Sequence, residues 1–126
     1  MDIPPTRALG AYGEALACRY LADAGFTILD RNWRCVRGEI DIVAREAEAL
    51  VVCEVKTRST EQFGAPFEAV TRQKLQRLRR LAWLWLDARP AADRSRLETR
   101  TVRIDVISIL RPRAGMPRLT HLRGVQ

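Results

Sequence analysis

Residues 38–56, Gly38-Glu39-Ile40-Asp41-Ile42-Val43-Ala44 through Val51-Val52-Cys53-Glu54-Val55-Lys56, read as two apolar strands joined by a short polar turn. Within them Glu39, Asp41, Glu54 and Lys56 stand among β-branched residues, where charge is costly unless something pairs or ligates it. Strand alternation puts Glu39, Asp41 and Val43 on one face and Ile40, Ile42 and Ala44 on the other. On the next strand Leu50, Val52, Glu54 and Lys56 share a face. Closing the hairpin symmetrically about Ala47 and Glu48 pairs Arg45 with Leu50, sets Asp41 opposite Glu54, and sets Glu39 opposite Lys56. A one-residue bulge would break that register.

Carboxylates opposed across a sheet repel each other. Either one keeps a proton or a cation sits between them. Hard oxygen donors suit Mg²⁺, with Mn²⁺ as a substitute, and Asp41 and Glu54 are the expected ligands. Glu39, and Glu14 from the first helix, can add ligands or hold a metal-bound water, and Lys56 is directed at the same spot. The chemistry such a set performs is phosphodiester hydrolysis, with a metal-activated water and a lysine ammonium stabilising charge on the phosphoryl group. The plain alternative is an exposed Glu39–Lys56 ion pair with Asp41 and Glu54 solvated.

Composition narrows the setting. A chain of 126 residues forms one domain with a single core. Domain limits are set at 1–110, with 111–126 as a basic C-terminal tail. Three cysteines, Cys18, Cys35 and Cys53, have no CxxC spacing, and His121 is the sole histidine. Zinc and histidine-base chemistry are therefore disfavoured, and reduced thiols in the cytoplasm are expected. No run is long enough to span a bilayer, and the N-terminus lacks a signal-peptide core. The net charge of +7 points to a polyanionic partner, most simply nucleic acid. Of 22 basic residues only Lys56 and Lys74 are lysines, positions where a compact, flexible point charge is retained against an arginine-rich background.

Along the chain, Thr6 to Ala24 reads as a helix stopped by Gly25, with Leu9, Tyr12, Leu16 and Tyr20 at helical spacing. Beside that stripe Gly10, Gly13 and Ala17 form a small-residue face suited to close packing, with Glu14 at its border; a solvated Glu14 is the simpler alternative. Strands are expected over 26–34, 39–45 and 50–57, then a loop through Phe63, Gly64 and Pro66. A second helix follows from Glu68 to Ala88, with an apolar arc of Val70, Leu75, Leu78, Leu81, Ala82, Trp85 and Leu86. Residues 89–100 read as a polar loop, Thr101–Leu110 as a last strand, and the remainder as a weakly structured tail. The order helix, three strands, helix, strand implies an antiparallel meander and a crossover, hence an α/β fold with a mixed sheet flanked by helices.

Gly38-Glu39-Ile40-Asp41 and Glu54-Val55-Lys56, with Gly13-Glu14, Arg31-Asn32, Phe63-Gly64-x-Pro66, Glu68-Ala69-Val70 and Lys74, resemble the YraN family of small bacterial proteins over residues 9–109. That family is similar in turn to the restriction-endonuclease-like PD-(D/E)xK superfamily, particularly archaeal Holliday-junction resolvases. The resemblance implies an α-β-β-β-α-β core. It implies catalytic roles for Asp41, Glu54 and Lys56, and matches Glu14 to the first-helix acid of the resolvases. Ile40 stands where the nominal motif has proline.

On the second helix, Arg72, Arg79 and Arg80 share the polar side with Trp83, which can stack on an unpaired base or serve as an edge or dimer contact. Lys74 falls inside the apolar arc and must snorkel or reach a partner such as the site's edge. The expectation is an Mg²⁺-dependent endonuclease-like protein acting on DNA, including branched or non-B forms. A non-catalytic nucleic-acid-binding module retaining the fold is the alternative, and a homodimer is left open.

Overall fold

The computed structural model describes residues 5–59, 70–97, 99 and 101–126. The expected loop through Phe63, Gly64 and Pro66 and the expected helix start at Glu68 lie outside the described residues. Eight elements follow in order: α1 (Pro5–Asp23), β1 (Thr27–Cys35), β2 (Gly38–Glu46), β3 (Ala49–Arg58), α2 (Arg72–Asp87), α3 (Ala91–Leu97), β4 (Thr101–Leu110) and β5 (Arg118–Leu122). The strands form one mixed sheet in the order β1-β2-β3-β4-β5. β1, β2 and β3 are an antiparallel meander, β3 and β4 run parallel, and β5 returns antiparallel to β4. The parallel pair is joined through α2, the crossover expected from the element order.

α1 and α2 cover opposite faces. On one face Leu75, Leu78, Leu81, Ala82 and Trp85 of α2 pack on Ile40, Val43, Leu50, Val52 and Ile104. On the other, Ala17, Leu21 and Phe26 pack on Ile42, Ala44, Val51, Cys53, Ile107 and Ile109. Double burial is why the central strands are continuous apolar runs. α1 stops as its glycine dictates: Gly25 adopts φ +95°, Gly25 N–H donates to Ala22 O, and Phe26 N–H donates to Leu21 O at 2.9 Å. This is a Schellman closure, and its two apolar members, Leu21 and Phe26, continue into the core. Trp85 fixes the far end of α2 by donating its indole N–H to Asp30 at 2.8 Å.

The small-residue face of α1 works at two of its three positions. Ala17 is buried, and a Cβ on Gly13 would collide with the Thr57 side chain, so helix and β3 touch there. Gly10 has no described atom near its missing Cβ.

Two segments differ from expectation. Residues 91–97, expected as loop, form α3; Pro90 supplies the carbonyl that Asp93 and Arg94 N–H groups meet, and Arg45 caps Leu97 O at 3.3 Å. Asp93 in the first turn and Arg94 and Arg96 in the last suit the helix dipole. The region expected to be a weakly structured tail contributes β5, paired from Leu110↔Arg118 to Val106↔Leu122. The reason is Asp105, fully buried on β4. It accepts two hydrogen bonds from Arg103 (2.9 and 3.0 Å), one from His121 Nε2 (2.7 Å) and one from Gly124 N–H (3.0 Å). Burial would push its carboxyl up, but these partners hold it below the ordinary aspartate value. An ionised carboxylate only accepts, so His121 Nε2 carries the proton toward it, and His121 Nδ1 meets the Tyr20 hydroxyl of α1 at 2.9 Å. The tail is pinned by the charge it satisfies.

Candidate active site

The β2–β3 hairpin closes in the expected register: Glu46↔Ala49, Arg45↔Leu50, Ala44↔Val51, Val43↔Val52 and Ile42↔Cys53. Ala47 takes φ +53° at the turn. There the ladder ends. The expected backbone pairs Asp41–Glu54 and Glu39–Lys56 do not form, because the Asp41 carboxylate itself accepts the Val55 N–H at 2.9 Å. A side chain stands where a strand carbonyl would have been, and β2 swings away from β3. The swing also exchanges faces. Ile40 joins Val43 against α2, while Ile42 and Ala44 face α1, so the strict alternation expected across 39–44 is interrupted at Asp41.

The parted strands open a cleft of about 310 Å³ under the start of α2. Gly38, Glu39, Asp41, Glu54, Lys56, Lys74 and Arg77 line it, over a floor of Leu78 and Leu81. Thr71 caps α2 by accepting the Lys74 N–H at 3.1 Å, which sets the first helical turn over the cleft. Lys74 then reaches Glu54 Oε1 at 2.8 Å, and Lys56 approaches the same oxygen at 3.6 Å. The Glu54 side chain is only 12 % exposed, so two ammoniums sharing it is the local answer to a desolvated carboxylate. Burial works against the charge on Lys74, yet its hydrogen bond and attraction to Glu54 hold its pKa above the ordinary lysine value.

Among the described residues no cation forms an ion pair with Asp41, although Lys74 feels its charge. Burial first, then the Glu54 charge, push its pKa up to about 7; the Val55 N–H opposes this, while Glu14 and Glu39 add to it. Glu14 therefore belongs to the electrostatic surroundings of Asp41 although it rises from α1, the helix brought close by Gly13. Glu39 lies at the rim, half exposed, and pairs with Arg34 at 3.1 Å rather than with Lys56. The α2 residues expected to face nucleic acid are exposed: Arg72, Arg79, Arg80 and Trp83, the last at 54 %. Lys74 leaves that group and turns inward to Glu54.

Sequence reasoning passed over two arginines, Arg77 at the cleft wall and Arg37 in the β1–β2 turn. Both line an adjoining groove with Arg80. The three-residue offset of Arg77 from Lys74 was the available signal for one of them.

The donor set fits a hard divalent cation in charge and chemistry: Asp41 and Glu54 share one cleft with Glu39 at its rim, and burial, then repulsion from Glu54, raises the proton affinity of Asp41, a proton that a cation would displace. Among the described residues no group of three or more Asp, Glu, His or Cys side chains converges on one point. The protein would thus contribute Asp41 and Glu54, with water completing the shell, a habit of Mg²⁺.

Fold and site together define a mixed α/β domain whose charged cleft is built from one parted hairpin and the first turn of a crossover helix. Residues 13–109 match the model of the Uncharacterised protein family UPF0102, and the chain belongs to that family. It is 56 % identical over 118 residues to a UPF0102 protein of Beutenbergia cavernae, spanning 94 % of this chain and 95 % of the relative. A UPF0102 protein of Nocardioides sp. is 52 % identical over 119 residues (94 % and 91 %), and one of Streptomyces coelicolor 50 % over 125 residues (98 % and 92 %). The family match runs from Gly13 to Ile109 in β4 and so contains every described residue of the cleft, but not β5. Among the described residues no helix is long and apolar enough to cross a membrane.

Proposed function

We propose that the protein is an Mg²⁺-dependent, PD-(D/E)xK-like endonuclease that hydrolyses phosphodiester bonds in cytoplasmic DNA, branched or non-B forms included. The observation that carries this reading is the meeting of Asp41, Glu54 and Lys56 in one cleft from a single parted hairpin, with Asp41 held near neutrality in its proton affinity. A bound divalent cation supplies an activated water and a Lewis acid for a phosphate oxygen. Asp41 and Glu54 would hold that cation. Lys56 sits beside Glu54, where its ammonium can orient a phosphate and stabilise the charge that grows on it. Lys74 neutralises Glu54, and its ammonium would be available to a phosphate if a cation took its place at that carboxylate. Glu14 and Glu39 enrich the negative field that draws the cation in.

A second reading rests on the same contacts: Lys56 and Lys74 already neutralise Glu54 without a cation, as suits a module that binds nucleic acid and cuts nothing. Incubating purified protein with linear, single-stranded, flapped and four-way DNA in Mg²⁺, Mn²⁺ or EDTA separates the two. Cutting that needs the divalent ion and is lost in Asp41→Ala and Lys56→Ala supports the nuclease. Salt-sensitive binding without cutting, unchanged in Asp41→Ala, supports the module.

A further inference from the structure

We propose that the groove formed by Arg37, Arg77 and Arg80, together with Gln73 and Gln76, seats the phosphates of the nucleic-acid strand on one side of the cleft. This inference rests on the proposed function for the identity of the strand but not for its hydrolysis. The groove measures about 310 Å³ and shares Arg77 and Leu81 with the carboxylate cleft, so the two depressions adjoin. A polymer lying across Arg77 would touch both.

Among the described residues the charge of the groove has no counterpart. Arg34 pairs with Glu39, Arg89 with Asp30, Arg103 with Asp105 and Glu46, and Arg123 with Glu46. Among the described residues Arg37, Arg77 and Arg80 make no ion pair, and none of the residues lining the groove is a carboxylate. Three like charges gathered in a concavity repel each other and concentrate positive potential there, a state relieved by an anion. Guanidinium forks match phosphate oxygens, and the two glutamine amides add neutral donors, a set suited to backbone contact rather than base reading. Among the described residues the lining apart from Leu81 is polar, which suits a phosphodiester backbone better than a peptide with apolar anchors.

The spacing agrees. Gln73, Gln76, Arg77 and Arg80 fall at i, i+3, i+4 and i+7 on one stripe of α2. Their span is about 10 Å at ~1.5 Å per residue, the axial reach of about three nucleotides of one duplex strand. Arg37, in the β1–β2 turn, forms the opposite wall.

Fluorescence anisotropy in EDTA with labelled duplex and single-stranded DNA tests the proposal independently of cleavage. The triple variant Arg37→Ala/Arg77→Ala/Arg80→Ala is compared with Arg94→Ala/Arg96→Ala/Arg113→Ala, which removes the same charge from exposed arginines outside the groove. The groove triple should lose at least about tenfold in affinity, and its slope of log K against log salt should fall by roughly two to three. The control triple should lose less than about threefold, as expected for a diffuse field alone. Unchanged thermal melting of both variants secures the comparison, and an Arg→Lys triple retaining binding at reduced affinity keeps it informative if alanine disturbs the fold. Equal losses in the two triples overturn the groove, as does competition by polyglutamate matching DNA at equal charge. Groove-dependent DNA binding by a wild-type protein that cuts nothing would sustain the inference and remove the hydrolytic reading. Cutting unaffected by the groove triple would do the reverse.

Discussion

Asp41→Asn isolates the electrostatics of the cleft, because asparagine keeps an oxygen for the Val55 N–H while removing the charge. The native carboxyl has its pKa raised from 3.8 to about 7. Between those values the folded state holds a proton that the unfolded chain has released, so stability falls as pH rises through the window. Below pH 3.8 both states are protonated and the penalty vanishes; above about 7 it is complete. Ionised fully, the difference corresponds to about 4 kcal/mol, and residual hydration of a partly exposed group reduces it to roughly 2 kcal/mol. The metal-free Asn variant should therefore melt about 6–10 °C above wild type at pH 8 and alongside it near pH 3.5. Differential scanning calorimetry across pH 3.5–8.5 in EDTA measures the gap. Adding Mg²⁺ at about ten times its dissociation constant should raise wild type by about 1.4 kcal/mol and leave the variant unmoved. An Asn variant that melts lower at pH 8, or a gap that does not change with pH, would refute the reasoning.

Other consequences follow from individual contacts. Lys74→Met removes the ammonium that competes for Glu54, so Mn²⁺ or Mg²⁺ titrated by calorimetry should bind roughly tenfold more tightly, about 1.4 kcal/mol; weaker binding would make Lys74 a helper of the cation instead. Gly13→Ala drives a methyl into Thr57 and should cost about 2 kcal/mol in urea unfolding. Gly10→Ala, with open space around it, should gain up to about 1 kcal/mol. Asp105→Ala leaves Arg103, His121 and Gly124 N–H without their shared acceptor and should cost about 3–5 kcal/mol. Because the Asp105 pKa is held below its unfolded value of 3.8, the stability that wild type derives from it is present above pH 3.8 and lost as pH falls below it, which acid titration of the melting temperature will show.

Much of this molecule is set by local pattern. The symmetric turn at Ala47-Glu48 fixes the β2–β3 register, the apolar arc from Leu75 to Trp85 fixes the buried face of α2, and Gly25 fixes where α1 stops. Periods of 2 and 3.6 and the left-handed tolerance of glycine are properties of neighbouring residues, so they can be read along the chain. The candidate residues Asp41, Glu54 and Lys56 were legible for the same reason, as charges in strands that otherwise favour valine. Their arrangement was not. Register alone placed Asp41 across from Glu54 in an unbroken ladder, whereas the folded chain lets the Asp41 carboxylate take the Val55 N–H and parts the strands into a cleft. That choice depends on competition between a side chain and a backbone carbonyl for one donor, and no sequence period encodes it. The inward turn of Lys74 to Glu54, the groove joining Arg37 to Arg77 and Arg80, and the capture of the arginine-rich C-terminus by buried Asp105 likewise join residues far apart in sequence. Local propensity supplied the elements and the charged residues; desolvation of a few buried carboxylates, felt only once the sheet was assembled, decided what each of them meets.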